Sequence, residues 1–293
     1  MKILLTGSQG QLGKSIAKSR PNSIELIQLN RKEFNLLDQE KCKKVIREVK
    51  PNWIINCAAY TNVDLAEKEY KIAHNINSLA PSFLSACIKE VKGKLLHIST
   101  DYVFDGKKAK PYDPFDKTNP LNKYGLSKAK GEKNLLNYNN NIILRTSWLY
   151  SSFGHNFVQT MLKLHNSKGK VNENLKVIHD QISAPTSTNS LSRLCWEIIT
   201  QDYQISPENQ ILHWRDGGVT SWYDFAIAIG DIANKKNILK YYAKVIPIKS
   251  KDYILPAQRP LYSLLDIEKT EKRFNIISNH WIYELEKTVD ELC

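Results

Sequence analysis

Three glycines spaced by two residues, Gly7, Gly10 and Gly13, follow directly on the apolar run Lys2–Leu5 and open a stretch of helical character. A buried strand that stops at Thr6-Gly7 and turns at once into a helix is the start of a β-α-β unit. Repetition of that unit commits a chain to a parallel sheet covered by helices on both faces. Glycines at this spacing also let the backbone turn tightly and approach a pyrophosphate, while the helix start supplies amide donors and a favourable dipole. Two readings stay open at this point: a dinucleotide-binding turn that includes Gln11 and Leu12, or a plain strand-to-helix connection.

The pattern continues through the first half of the chain. Strands are expected at Ile24–Leu29, Trp53–Cys57, Leu95–Ile98 and Asn141–Leu144, each ending in a polar loop. Helices fit between them at Gly13–Ser19, Gln39–Val49, Glu67–Asn75, Ala80–Val91 and Tyr124–Asn137. This is the alternation of a Rossmann-type α/β fold with a doubly wound parallel sheet, in which ligands gather at the strand C-termini. Beyond Trp148 the helices, expected at 155–166, 189–201, 221–234 and 280–291, are separated by irregular segments. We expect residues 1–147, together with roughly 189–215, to form the dinucleotide-binding domain. Residues 148–188 and 216–293 are expected to form a smaller C-terminal substrate lobe.

Composition excludes several classes. No apolar run approaches the roughly 18–20 residues of a membrane span, and the N-terminus lacks the apolar core and cleavage site of a secretory signal, which implies a cytoplasmic protein. The five cysteines (Cys42, Cys57, Cys87, Cys195, Cys293) have no paired spacing, so neither a disulfide framework nor a zinc site is expected; Cys57 and Cys87 read as small core residues. The formal net charge is +12, but the lysines are scattered rather than gathered with aromatics, so no nucleic-acid partner is expected. A basic surface would also steer an anionic substrate.

The second strand ends Leu29-Asn30-Arg31-Lys32. An acid there would bond the adenosine ribose; Asn30 removes the charge that would repel a 2′-phosphate, and Arg31 can pair with one. This favours NADPH with NADH possible, unless Arg31 and Lys32 are simply solvated. Asn35 and Leu36 are candidates for the adenine wall. Ala58 and Ala59, with Tyr60 beside them, leave room for a cofactor after the third strand. Tyr124 and Lys128, four apart, share one face of a helix. An ammonium beside a phenol favours the phenolate, which is expected to lower the Tyr124 pKa from its usual value near 10 and let it carry protons near neutrality.

Together with Leu4-Leu-Thr-Gly7 and Gly10-Gln-Leu-Gly13, narrower blocks run along nearly the whole chain. They are Asn56-Cys-Ala-Ala-Tyr-Thr61 with Val63-Asp64, Ser99-Thr-Asp-Tyr-Val-Phe104, Pro120-Leu-Asn-x-Tyr-Gly125 with Lys128, Arg145-Thr-Ser-Trp-Leu-Tyr150, Asp180-Gln181, Ala184-Pro-Thr186 and Arg259-Pro260. In these the chain resembles the dTDP-4-dehydrorhamnose reductases, extended members of the short-chain dehydrogenase/reductase superfamily. The resemblance implies reduction of the C4 ketone of dTDP-4-dehydro-β-L-rhamnose to dTDP-β-L-rhamnose, in rhamnose synthesis for a surface polysaccharide. The nicotinamide would give a hydride to the carbonyl carbon and Tyr124 a proton to its oxygen. Lys128 would hold the nicotinamide ribose, and Thr100 would hydrogen-bond the carbonyl oxygen. By the same resemblance Asp101 and Trp148 lie against the sugar, although Asp101 can also cap a turn and Trp148 can be core. Gln181 and Arg259 are weaker substrate candidates, Arg259 reaching for the diphosphate or else forming a surface salt bridge. His97 reads as structural.

The resemblance has departures. Asn30 stands where some relatives carry an acid. Some relatives dimerise around Mg²⁺ held by glutamates, one on the first helix. That helix here, Gly13-Lys-Ser-Ile-Ala-Lys18, has no acid, Asn189-Ser190 stands where another would be, and Glu291 alone is a poor site. No metal site is therefore expected, and the protein should be a monomer or weak homodimer. Two rival functions remain: a nucleotide-sugar 4-ketoreductase of the 6-deoxytalose or fucose type, and a non-catalytic regulatory subunit of methionine adenosyltransferase, a role that would not need Thr100, Tyr124 and Lys128 together.

Overall fold

A computed structural model describes residues 1–201 and 205–292. Five strands run in sequence: β1 (Lys2–Thr6), β2 (Glu25–Leu29), β3 (Trp53–Asn56), β4 (Lys94–Thr100) and β5 (Asn141–Thr146). With Ile211–His213 they form a six-stranded sheet in the order β2, β1, β3, β4, β5, 211–213, every pair parallel. The order reverses beside β1, and the crevice outside the strand ends opens there.

Side chains alternate across the sheet. Ile3, Leu5, Leu96, Ile142 and Leu144 point to one face, where they pack with Leu191, Leu194 and Trp214. Leu4, Ile54, Leu95 and Ile143 point to the other, against Ile46, Leu84 and Ile88. In chain order the first helices are α1 (Gln11–Lys18), α2 (Gln39–Val49), α3 (Tyr70–His74), α4 (Ala80–Glu90), α5 (Lys123–Leu135), α6 (Phe157–Lys170) and α7 (Thr188–Thr200). They are followed by α8 (Trp222–Lys235), α9 (Glu268–Phe274) and α10 (Trp281–Asp290). Helix α1 packs on α7. A second core joins α6, α8 and α10 through Val158, Met161, Phe225, Ile229, Trp281 and Leu285. No helix among the described residues is long and apolar enough to cross a membrane.

Several details differ from the expectation. Strands β4 and β5 run two residues further, because Ser99↔Arg145 and Thr100↔Thr146 continue the ladder with buried polar side chains that the apolar pattern does not reveal. The two helices expected at 67–75 and 80–91 are one continuous rod, joined by a π bulge at Asn75–Leu79. Pro81 lacks the N–H that a regular helix would bond back one turn, and the wider turn absorbs that loss. The bulge aims Asn77 inward, where its amide bonds both the N–H and C=O of Tyr60 (each 2.9 Å) and Ser127 Oγ (3.0 Å). That clamp ties the loop after β3 to α5. Short two-residue pairings and helix α9 carry too few residues for a period to show in the sequence.

Candidate active site

A cleft of about 770 Å³ lies along the C-terminal ends of β1, β3, β4 and β5. At one end is the glycine turn. Gly7 has φ +67°, and a Cβ there would lie 2.7 Å from Ala58 N; a Cβ at Gly13 would lie 2.3 Å from the Gly7 carbonyl. Both positions therefore require glycine, and the turn holds the α1 N-terminus open toward the cleft with no acid in its first turn. Gly10, Gln11 and Leu12 line it, as do Arg31, Asn35, Leu36, Ala58 and Ala59. The buried Thr146 Oγ1, on the cleft wall, has no hydrogen-bond partner among the described residues. A glycine cradle that excludes any Cβ, a bare helix start and a free hydroxyl fit a dinucleotide.

Asn30 and Tyr60 do not line the cleft. Asn30 Oδ1 accepts from Lys32 N (2.8 Å) and Glu33 N (3.2 Å), so it caps its own turn. Tyr60 donates its hydroxyl to Glu69 (2.8 Å); partial burial and that carboxylate push its phenol up to about 12. Phe34, Gln9, Thr61, Val63, Ile76, Gly154 and His155 also line the cleft, beyond the candidate residues of the sequence. Apart from Ile76, which the π bulge carries, they sit in loops with no periodicity, where the fold brings them to the site. Cys57, expected in the core, also lies on the cleft wall, because β3 ends one residue before it.

The middle of the cleft joins β4 to α5. Asn122 caps α5, accepting from Gly125 N (2.7 Å) and donating to the Gln258 carbonyl (2.7 Å). Thr100, Asp101, Tyr124 and Lys128 all face the cleft. Burial pushes the Tyr124 phenol up to about 12, while a hydrogen bond with Thr100 pulls it down. Lys128 does not lower it as the spacing had suggested: its ammonium turns away, donating to the Ile98 carbonyl (2.6 Å) and approaching His97 Nε2 (3.1 Å). Burial pushes Lys128 down to about 8 against the pull of Glu132 and Cys57. Behind it, Glu132 makes a buried ion pair with Arg145 (2.7 Å) and accepts from Ser99 Oγ, bracing α5 against β4 and β5.

Asp101 is 2 % exposed. Burial pushes its carboxyl up to about 7, against hydrogen bonds from Ser263 Oγ (2.5 Å) and Thr100 Oγ1 (3.2 Å). At the far end Trp148, in a left-handed backbone conformation (φ +45°), stacks on Trp222. Gln181 and Arg259 lie outside the lining. Gln181 Nε2 donates to Ser250 Oγ (3.0 Å), and Arg259 is locked on Asp64 by two bonds of 2.7 and 2.6 Å. Arg259 also bonds the hydroxyl of Tyr102, a residue of the cleft wall.

Among the described residues no group of three or more His, Cys, Asp or Glu is placed to hold a metal ion. Glu291 is shared by Lys18 Nζ (3.1 Å), Asn189 Nδ2 (3.1 Å) and Ser152 Oγ (2.6 Å).

The family described as RmlD substrate binding domain matches residues 1–293 without a gap at either end. The chain belongs to the dTDP-4-dehydrorhamnose reductase family. It is 38 % identical to the dTDP-4-dehydrorhamnose reductase of Aggregatibacter actinomycetemcomitans, over 96 % of this chain and 95 % of that one. The crystal structure of a dTDP-4-dehydrorhamnose reductase from Clostridium acetobutylicum superposes with a TM-score of 0.91 at 37 % identity, covering 100 % of this chain and 99 % of the other. The Bacillus anthracis enzyme, crystallised in complex with NADP, gives 0.89 at 33 % identity, covering 99 % of each chain. Within this family the cleft of the present chain brings together the glycine turn, Thr100, Tyr124 and Lys128, whereas it leaves Asn30, Tyr60, Gln181 and Arg259 in supporting contacts.

Proposed function

We propose that this family member reduces the C4 ketone of dTDP-4-dehydro-β-L-rhamnose to dTDP-β-L-rhamnose with NADPH, in the cytoplasm and as a monomer or weak homodimer. The observation that carries the reading is the convergence of Thr100, Tyr124 and Lys128 in one cleft with the glycine turn of Gly7 and Gly13. NADPH, when bound, supplies the hydride. Residues 1–147 with roughly 189–215 hold it: the α1 amides and Gly10 cradle the pyrophosphate, Arg31 meets the 2′-phosphate, and Lys128 holds the nicotinamide ribose. The sugar lies toward residues 148–188 and 216–293, between Asp101 and Trp148.

Tyr124 is the proton donor. A phenol near 12 carries its proton at neutral pH, which is the state a reduction needs. Thr100 shares a hydrogen bond with it and orients both the donor and the substrate oxygen. The product is an activated deoxysugar suited to polysaccharide assembly. The test is oxidation of NADPH in the presence of dTDP-4-dehydro-β-L-rhamnose, followed by NMR of the sugar product. We expect turnover to the rhamnose epimer. A product with the opposite configuration at C4, or cofactor binding without turnover, would replace this reading.

A further inference from the structure

Three buried polar residues stand in one row across the sheet. Register pairs Thr6 with Asn56 and Asn56 with His97 on three adjacent strands. Thr6 Oγ1 lies 2.7 Å from Asn56 Oδ1, Asn56 Nδ2 lies 3.0 Å from His97 Nδ1, and His97 Nε2 lies 3.1 Å from Lys128 Nζ. Thr6, Asn56, His97 and Lys128 are all 2 % exposed or less. An apolar interior this close to the sheet centre has no use for such a row unless it holds something, because each buried polar group costs free energy unless partnered. The row ends on Lys128.

Its hydrogen bonds can run in only one direction for a given charge on Lys128. His97, buried beside a cation, is held well below its usual titration range and is neutral, so one ring nitrogen donates and the other accepts. An ammonium only donates. With the Asn56 amide nitrogen toward the ring, Nδ1 accepts and Nε2 carries the proton, which faces a donor with a donor across 3.1 Å. That arrangement suits a neutral amine. With the amide turned over, an exchange that leaves the heavy-atom contacts in place, Nδ1–H donates to the amide oxygen and the amide nitrogen donates to Thr6. Nε2 is then free to accept from the ammonium.

We propose that His97 is a positioning residue for Lys128: beside the ammonium it takes the Nδ1–H tautomer, which the Asn56 amide oxygen accepts, and its Nε2 accepts from the Lys128 ammonium and fixes it in the cleft. The proposal rests on the reading of Lys128 as part of the reductase site. Besides His97, the groups facing Lys128 are Glu132 on α5, Cys57 after β3 and the Ile98 carbonyl on β4, with Tyr124 one turn away and Arg145 of β5 held by Glu132. Burial and the Lys128 ammonium together hold His97 down. When Lys128 loses its proton the row reverses, so tautomer and lysine charge change together.

Two measurements test this. In full-length protein labelled with ¹⁵N-histidine, the resonance that disappears in His97→Gln should show the Nδ1–H tautomer at pH 7. An Nε2–H tautomer at that pH overturns the proposal, whether or not the protein turns over. In pH–rate profiles, His97→Leu removes an acceptor from the ammonium and should move the alkaline limb of kcat down by about one pH unit, the effect of a hydrogen bond to a charged group. His97→Gln, whose side-chain oxygen can accept, should restore most of that shift. A loss of rate that is equal at every pH, with the limb unmoved, assigns His97 a merely structural role. If His97→Leu does not fold, the tautomer measurement and the Gln profile still decide. A wild-type protein that shows the Nδ1–H tautomer yet never reduces the sugar would sink the reductase reading and leave the row intact.

Discussion

Trp148 lies face to face on Trp222, with 3.6 Å between ring centroids and 11° between planes. One residue follows β5 and the other begins α8, so the stack joins the nucleotide-binding sheet to the helices of the second core at the cleft edge. One indole face of Trp148 is therefore taken, and Trp222 sets the angle of the other. An aromatic pair of this kind contributes about 0.5–1.5 kcal/mol beyond its burial. Trp222→Ala should raise KM for the dTDP-sugar by about 2–10-fold and leave NADPH affinity unchanged. Equal weakening of both ligands in titration calorimetry would mean the stack serves the cofactor instead.

Tyr124→Phe keeps the ring and removes the proton. The ring still packs edge-on against Tyr102, so NADPH should bind as before while kcat falls by about 10²–10⁴-fold, the range for a positioned proton donor. Stopped-flow single turnover, which isolates the chemical step from product release, checks this. Near wild-type rates would remove Tyr124 from the chemistry.

Arg31 lines the cleft while Asn30 is occupied in its own turn. The proposed contact with a ribose 2′-phosphate therefore rests on Arg31. Arg31→Ala should raise KM for NADPH by about 10-fold or more, as expected for a lost charge-assisted bond, and leave KM for NADH within about two-fold. A similar rise for both cofactors would place the contact elsewhere on the dinucleotide.

Asp216 is fully buried, and burial pushes its carboxyl up to about 7, while its Oδ2 accepts from Ser187 N (2.8 Å). A carboxyl raised in the folded state binds more protons there than in the unfolded chain between about pH 4 and 7. Its ionisation therefore costs stability as pH rises through that window. Asp216→Asn removes the penalty and should improve, relative to wild type, by about 2–4 kcal/mol between pH 4 and pH 8. Urea denaturation at both pH values reads the difference directly. An identical difference at the two pH values would show that Asp216 does not titrate in this range.

Much of the site is local in sequence, which is why it is legible there. The strand that breaks at Gly7 and the four-residue step from Tyr124 to Lys128 each follow from backbone geometry within a few residues. The parallel alternation that builds the sheet is likewise carried by runs of four to six apolar residues. Where buried polar residues continue a strand, as at Ser99 and Arg145, hydropathy hides the element although the ladder is intact.

What the chain determines alone is thus the sheet, the glycine turn and the four-residue spacing of Tyr124 and Lys128 on α5. The tertiary structure decided where their polar atoms point. Lys128 faces His97 and Ile98 rather than the Tyr124 phenol, Arg259 is held by Asp64 from 195 residues away, and Trp148 is set by Trp222. Side-chain direction depends on which donors and acceptors the fold delivers within about 3 Å, and those partners come from other strands and helices. Burial completes the difference, since the same phenol, ammonium and carboxylate titrate at values that only their surroundings set.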